Sequence, residues 1–443
     1  MDIGSLIAGF GGVFWTIAAF VVALSIIVAV HEYGHYIVGR WTGIDAEVFS
    51  LGFGPVLFSR TDRRGTRWQV AALPFGGYVK FVGDANAASV GVDETAMIHM
   101  SDTERRRSIH GAPLWARAAT VAAGPIFNFI LSFFIFALVA SSQGRPTEPL
   151  TVADVNAQTG ELRAGDVVLA VAGRPVADLE GFSEAVDDLP PAPSIAWTVE
   201  RDGRRIDVDG PHPYPPLVTQ TQPQSAAYDA DLQAGDLITA IDGTPIYTFE
   251  QMRQVIVGGE GRPVLLEVDR DGESFESVLA PRIVDMPLPD GGFETRYMIG
   301  VVGGLAFEPA TETLGPLDAV LAGFERTWFI VRSSLSGMWN IVTGAISSCN
   351  ISGPIGIAQT SGAMASQGTI SFFFFIGVLS TAVGLLNLFP VPVLDGGHLV
   401  FHAYEAVSGR QPGDRALRVM MTVGMVLILS LMAFAITNDL FCP

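Results

Sequence analysis

Apolar residues in this chain gather into a few long uninterrupted runs, and the stretches between them mix apolar with polar positions. The first run, residues 7–30, holds no charged residue and is about the length a helix needs to cross the hydrocarbon core of a bilayer. Similar runs cover 118–140, 370–394 and 419–436. With the polar motif that directly follows the first run, they predict four transmembrane segments at 7–40, 118–140, 370–394 and 419–436. The first run stands where a signal peptide would. However, Met1-Asp2-Ile3-Gly4 carries no basic residue and no small-residue cleavage site follows, so the segment is expected to be retained. Pro390 and Pro392 predict a broken end to the third span. Between 312 and 348, Trp and Arg scattered among apolar residues predict an interfacial amphipathic helix.

The hydrophilic middle contains an internal repeat. Leu162-Arg-Ala-Gly-Asp-Val-Val-Leu-Ala-Val-Ala-Gly-Arg-Pro-Val176 aligns with Leu232-Gln-Ala-Gly-Asp-Leu-Ile-Thr-Ala-Ile-Asp-Gly-Thr-Pro-Ile246, and Arg201-Asp-Gly203 returns as Arg270-Asp-Gly272. Each copy reads as a Gly-Asp turn, an apolar strand, a tight Gly turn, a short helix and another strand. The pattern resembles PDZ domains, which often bind a peptide as an added strand, and predicts two PDZ-like α/β domains at 150–214 and 215–284. Copy one is shorter ahead of its Gly-Asp turn, where Ala157-Gln-Thr-Gly160 stands for Ser225-Ala-Ala-Tyr-Asp-Ala230. A rigid spacer or size filter fits such a pair at least as well as a specific peptide receptor.

Charge then orients the chain. The 45 acidic residues outnumber the 26 basic ones, for a formal net charge of −19, yet mean hydropathy is positive at +0.39. This is a membrane protein with an acidic insert, and its charge gives no reason to expect nucleic-acid binding. Arg40, Arg60, Arg63, Arg64, Arg67, Lys80, Arg105, Arg106, Arg107 and Arg117 follow the first span, and Arg410, Arg415 and Arg418 lie between the third and fourth. Basic residues near span ends mark the cytoplasmic side. Residues 41–117 are therefore expected in the cytoplasm, with the N-terminus, the repeat and the C-terminus outside. Two cysteines, Cys349 and Cys442, are too few for a disulfide framework and are expected as free thiols.

The chemistry sits at the span ends. His31-Glu32-Tyr33-Gly34-His35 places two imidazoles four residues apart, on one face of a helix, where both can reach one metal ion. Glu32 between them is placed to act as base toward a water that the metal activates. The bland alternative is an interfacial turn whose histidines reach for water, but three ionisable groups at a membrane helix end are costly and usually functional. A catalytic zinc takes three protein ligands and leaves one position open. Asp395, in Asn387-Leu-Phe-Pro-Val-Pro-Val-Leu-Asp-Gly-Gly397, is the only acidic residue within or ending the third run. The alternative for Asp395 is a helix cap followed by a Gly-Gly turn. His398 and His402 compete as ligands by chemistry alone. No Glu follows His398, and both lie toward the basic loop, so they are read as interfacial.

Taken together, His31-Glu-x-x-His35 in the first span and Leu394-Asp-Gly396 at the third identify the chain as resembling the site-2 protease family of intramembrane zinc metalloproteases. The similarity is to the bacterial regulator-of-sigma-E protease branch with tandem PDZ domains, and it covers nearly the whole chain. Gly124-Pro-Ile-Phe-Asn128 and Asn350-Ile-Ser-Gly-Pro354 also resemble family elements. The resemblance implies a polytopic α-helical membrane protein with four transmembrane helices, two inserted PDZ-like α/β domains and membrane-associated β-hairpins within 41–117. It implies one catalytic Zn2+ held by His31, His35 and Asp395, with Glu32 catalytic and Asn387 holding substrate or its oxyanion. Val48 to Val82, with Gly52-Phe-Gly-Pro55 and Gly76-Gly-Tyr78, looks like the family's membrane-dipping hairpins that take substrate as an added strand. The implied substrates are single-pass transmembrane proteins already trimmed outside, such as anti-sigma factors or remnant signal peptides, cut in regulated intramembrane proteolysis during stress responses. The implied location is the bacterial inner membrane, in contact with lipid, with both termini and the PDZ domains periplasmic. Two rivals are weaker: a receptor without catalysis, because the His-Glu-x-x-His set is complete, and a transporter, because the spans show no repeated halves.

Overall fold

The computed structural model describes residues 3–85, 98–155, 160–288 and 292–442. The chain divides into two compact units. One takes the chain up to Val139 with Val320–Met338 and Ile351–Cys442; the other takes Ala140–Ala319 with Trp339–Asn350.

In the first unit, helix α1 (Ile3–Trp41) runs through the His31–His35 motif without a break, since no proline interrupts it. Two long bent strands follow, β1 (Ala46–Thr61) and β2 (Arg67–Phe81). Residues 46–51 pair with 77–81 on one side and with 67–70 on the other, while 56–61 pair with 67–71. Gly52 and Gly54, with φ of +85° and +84°, allow the bend. The turn end exposes Phe53, Val56, Leu57, Phe58 and Leu73. The other end is seated on α1 by a core of Tyr36, Ile44, Phe49, Val79, Phe81, Ile109 and Ala116. Short helix α2 (Asp102–Arg106), closed by a Ser101–Glu104 capping box, leads to α3 (Leu114–Gln143).

The second unit opens and closes on one two-stranded stalk. There β3 (Arg145–Pro146) pairs with β18 (Thr311–Glu312), and Arg145 Nε lies 2.7 Å from Glu312 Oε1. Beyond it come β4 (Val152–Val155), β5 (Val167–Val171), β6 (Arg174–Pro175), α4 (Leu179–Val186), β7 (Ile195–Arg201) and β8 (Arg204–Gly210). They form a sheet of order β6-β5-β7-β8 over a core of Leu150, Val168, Phe182 and Trp197. Then follow β9 (Gln220–Thr221), α5 (Ala226–Asp229), β10 (Leu237–Ile241), β11 (Thr244–Pro245), α6 (Phe249–Gly258), β12 (Val264–Arg270) and β13 (Glu273–Leu279). These repeat the arrangement as β11-β10-β12-β13 around Ile238, Met252, Leu266 and Val268.

The repeated residues bond to each other in both copies. Arg201 Nε and Nη2 each donate to the buried Asp166 carboxylate at 2.7 Å, and Arg270 donates to Asp236 at 2.6 and 2.8 Å. Asp and Arg therefore recur because each turn carboxylate needs its own bidentate cation once buried.

The packed modules extend past the repeat. Strands β14 (Arg282–Pro287) and β15 (Phe293–Met298) form a hairpin, and β16 (Val301–Val302) pairs with β9, adding Ile299 and Val301 to the second core. The chain then returns to the first module. There β17 (Phe307–Pro309) pairs with β4, and buried Phe307 meets Phe182 and Trp197 at ring distances of 5.9 and 6.0 Å. The second module is thus inserted into the first. Residues 156–159, where the first copy is shorter, lie outside the described residues.

Helix α7 (Pro316–Thr343) carries Leu317, Phe324, Trp328, Trp339 and Val342 exposed. Back in the first unit, α8 (Pro354–Ser366), α9 (Thr369–Asn387), α10 (Asp395–Ser408) and α11 (Asp414–Phe441) complete the chain. The third span leaves its helix at Asn387, and 388–394 are not helical; Pro390 and Pro392 there have no N–H to donate. Among the described residues, four helices are long and apolar enough to cross a membrane: Gly12–Trp41, Leu114–Gln143, Thr369–Asn387 and Arg415–Phe441. Asp439 of α11 caps α8, accepting from the amides of Gly353, Ile355 and Gly356 at 2.7, 3.0 and 3.1 Å. The expectation of free thiols is corrected: Cys349 and Cys442 are both disulfide-bonded. Pairing follows tertiary proximity, which two isolated cysteines in a sequence do not reveal.

Candidate metal centre

Three elements bring the candidate residues together. Helix α1 turns His31 and His35 to one face, toward α3. The start of α10 supplies Asp395 in its first turn, where the helix dipole favours a carboxylate. The loop 388–392 folds tightly under that turn. A Cβ on Gly396 would sit 2.2 Å from the Phe389 carbonyl oxygen, and one on Gly397 2.3 Å from that of Val391. The Gly-Gly pair is therefore a packing requirement of the turn that aims Asp395.

His31 Nε2 and His35 Nε2 lie 3.2 and 3.5 Å from Asp395 Oδ2 and 3.2 Å from each other. A tetrahedral ion with bonds of roughly 2.0–2.1 Å spaces its ligands about 3.3 Å apart, so these atoms have the spacing that one face of such a site needs. Asp395 Oδ2 is buried and has no partner of hydrogen-bond geometry among the described residues. Among those residues, His31, His35 and Asp395 are the only cluster of this kind able to share an ion. Nitrogen and oxygen donors at these spacings fit zinc.

The surroundings hold these side chains in place. His35 Nδ1 donates to the Thr120 carbonyl at 2.8 Å, and Asn128 Nδ2 is 3.2 Å from His31 Nδ1. Helix α3 approaches this closely because Gly124 faces the imidazoles. A Cβ there would lie 2.2 Å from His35 Nε2 and 2.8 Å from His31 Cε1. Gly34 of α1 answers it, with the Ala123 carbonyl oxygen 2.6 Å from its own would-be Cβ. Small residues at such a crossing let membrane helices meet backbone to backbone.

Glu32 lines the same cavity of about 340 Å³ and receives a backbone hydrogen bond from Val79 of β2. Gly77, beside Glu32 Cγ at 3.1 Å from its would-be Cβ, leaves room for that approach. Asn387 also lines the cavity and spends one Nδ2 hydrogen on the Val383 carbonyl at 3.0 Å. His398 and His402 face the cavity but stand apart from the trio. Burial lowers the pKa of both; for His402 burial and then the Arg117 charge bring it to about 4, so both are neutral at pH 7.

Several supporting residues carried no assigned role in the sequence. Arg117 counted there only as a charge near a span end. In the structure it forms a two-point pair with Glu405, at 2.6 and 3.1 Å, that ties α3 to the helix bearing Asp395. Asn128 is a fully buried amide inside an apolar span. A polar side chain at that depth is itself the signal that could have found it.

The description of peptidase family M50 matches residues 19–431. The chain is 37% identical over 428 residues to a protein of Agrobacterium fabrum named as a zinc metalloprotease, covering 96% of this chain and 95% of that one. A Rhizobium meliloti protein named likewise is 38% identical, with 96% of each chain covered. The regulator of sigma E protease of Salmonella typhimurium is 32% identical over 461 residues, covering 96% of this chain and 98% of its own.

Proposed function

The chain belongs to peptidase family M50, and from that premise we propose that it cuts peptide bonds within the membrane, holding zinc by His31, His35 and Asp395 with Glu32 as base. It is a zinc metalloprotease, a hydrolase of peptide bonds. The observation that carries the proposal is the meeting of two imidazoles from an apolar helix with a carboxylate from a distant turn, at the separations a tetrahedral ion needs.

When bound, zinc supplies a Lewis acid that lowers the pKa of water and polarises the scissile carbonyl. The protein's residues do the rest. Glu32 takes a proton from the attacking water and returns one to the leaving amine. The second N–H of Asn387 is the donor for the oxyanion. A helical substrate hides its scissile carbonyl in its own hydrogen bonds, and pairing with the β1–β2 strands replaces those bonds while freeing the carbonyl. The exposed apolar turn of that hairpin and the apolar face of α7 lie against lipid.

The two modules of the second unit are read as PDZ domains that act as a size filter. The substrates are then single-pass membrane proteins already trimmed outside, anti-sigma factors or remnant signal peptides, in a stress-responsive cascade of the bacterial inner membrane. The test uses purified enzyme in lipid vesicles and one single-pass substrate, with and without its outer domain. Residues 147–310 are replaced by a short turn across the β3–β18 stalk, so that neither interlocked module is left incomplete. Wild type is expected to cut only the trimmed form, inside the membrane segment, and the excised enzyme to cut both. Cleavage mapped outside the membrane segment rejects the intramembrane reading. Unchanged dependence on trimming rejects the filter, and loss of all cutting by a folded excised enzyme points to recruitment.

Orientation has its own test. The arginine bias places 41–117 in the cytoplasm and both termini and the modules outside. In intact cells, a thiol reagent that cannot cross the membrane should label Asp271→Cys and not Arg64→Cys, both exposed positions. The native cysteines are disulfide-bonded and add little background. The opposite pattern reverses the topology.

A further inference from the structure

The inference concerns Asn128 and rests on the reading of His31 as a zinc ligand. Asn128 sits on α3 with no exposed surface, and its Nδ2 lies 3.2 Å from His31 Nδ1. Its other polar end, Oδ1, is buried and has no hydrogen-bond partner among the described residues. The residue is held in place. Its backbone carbonyl accepts from Ser132 Oγ of the same helix and from Ser380 Oγ of α9, each at 3.0 Å, and Gly384 of α9 admits its side chain, with a would-be Cβ 3.1 Å from Asn128 Cβ.

The imidazole decides which end of the amide must face it. A ring nitrogen binds a metal through its lone pair, so with Nε2 directed at the ion the hydrogen of neutral His31 must sit on Nδ1. Nδ1–H then needs an acceptor. An Nδ2–H2 group facing it is a second donor, which would force the hydrogen onto Nε2, the atom turned toward Asp395 and the ion. The two ends of a carboxamide have nearly the same shape, so a half-turn about the side chain exchanges them in place.

We propose that Asn128 is a positioning residue for zinc: in the loaded enzyme its Oδ1 accepts from His31 Nδ1–H and sets the tautomer and ring orientation of that ligand. His35 has the matching arrangement, with Nδ1 donating to the Thr120 carbonyl at 2.8 Å. Both histidines are then oriented from α3, one by a backbone oxygen and one by a side-chain oxygen. Partners of this kind typically carry tenfold to a hundredfold in metal affinity.

The test separates acceptor from bulk. Asn128→Asp keeps oxygen at the bonding position and removes the donor, whereas Asn128→Leu keeps size and removes both. Purified proteins in detergent are equilibrated with zinc against graded chelator, and melting of the metal-free forms is measured alongside. Asn128→Leu should bind zinc roughly tenfold to a hundredfold more weakly with unchanged metal-free melting, and Asn128→Asp should stay within a few-fold of wild type. Wild-type affinity in Asn128→Leu overturns the proposal. Equal weakening in both variants, each with wild-type metal-free melting, also overturns it, because the acceptor would not be what matters. If Asn128→Asp does not fold, Asn128→Leu alone decides. His31→Leu tests the underlying reading: zinc retained there removes His31 from the ligand set. Zinc lost there but kept by Asn128→Leu rejects only the role of Asn128.

Discussion

Glu32→Gln is expected to hold zinc at the wild-type level while turnover falls by roughly 10²- to 10⁴-fold, the range a positioned general base contributes. The substitution keeps size and polarity and removes only the basic oxygen. Glu32 is not among the atoms that converge at the centre, which are His31 Nε2, His35 Nε2 and Asp395 Oδ2. The Val79 amide that bonds the Glu32 carboxylate can still donate to the glutamine carbonyl, so the side chain has a reason to stay in place. Asp395→Asn is the comparison. It replaces a charged oxygen donor with a neutral amide and should lose zinc and activity together, by at least about the tenfold that removal of a supporting partner costs. Zinc per protein, measured beside cleavage of a transmembrane substrate, separates the two roles. Normal turnover in Glu32→Gln ends the proposed mechanism. Wild-type zinc affinity in Asp395→Asn moves the third ligand elsewhere, with His398 and His402 next in the same cavity.

Gly124→Ala should cost most or all of the zinc, although the change adds one methyl group and raises helix propensity by about 1 kcal/mol. The new methyl carbon would lie 2.2 Å from His35 Nε2 and 2.5 Å from His35 Cε1. In the proposed centre that nitrogen faces the ion, so methyl and metal would compete for one space. Helix α3 cannot simply retreat. Gly34 holds it against α1, and it is held against α9 by the Ser380 bond to the Asn128 backbone carbonyl and the Ser132 bond to the Gly377 carbonyl. The control is the same substitution elsewhere in a membrane helix. Gly12 of α1 has nothing within 4 Å of its would-be Cβ, so Gly12→Ala should keep zinc and activity. Zinc content, activity and melting of both variants are the measurements. Full zinc and full activity in Gly124→Ala would mean that α3 does not pack on these histidines as described.

What the sequence determined by itself was local or periodic. Uninterrupted apolar runs marked the four helices able to span a membrane, because a bilayer demands length and low polarity and nothing subtler. The four-residue spacing put His31 and His35 on one helix face, since helix geometry alone sets that. The repeat at Ala164-Gly-Asp166 and Ala234-Gly-Asp236 announced two like modules, and the recurring arginines proved to be partners of those aspartates.

Tertiary structure decided what joins distant segments. Asp395 stood out in the sequence as a lone carboxylate ending an apolar run and, by resemblance, as a ligand, but its distance from the two histidines of the first helix is set only by packing. The first module's need for Phe307 was likewise hidden, because a buried aromatic carries no label for its core. Boundaries drawn from the repeat therefore stopped before strands that both cores require. The disulfide bonding of Cys349 and Cys442 depends on where the chain brings them, not on their number. Gly124 and Asn128 stood in the sequence as the ends of an element resembling the family's, with no role attached to either. Packing makes one the space beside the imidazoles and the other a neighbour of His31 Nδ1. The physical reason is common to all of these. Periodicity and hydropathy are sums over neighbouring residues and survive in one dimension, whereas close approach and hydrogen-bond partnership depend on distances that exist only after the helices have packed.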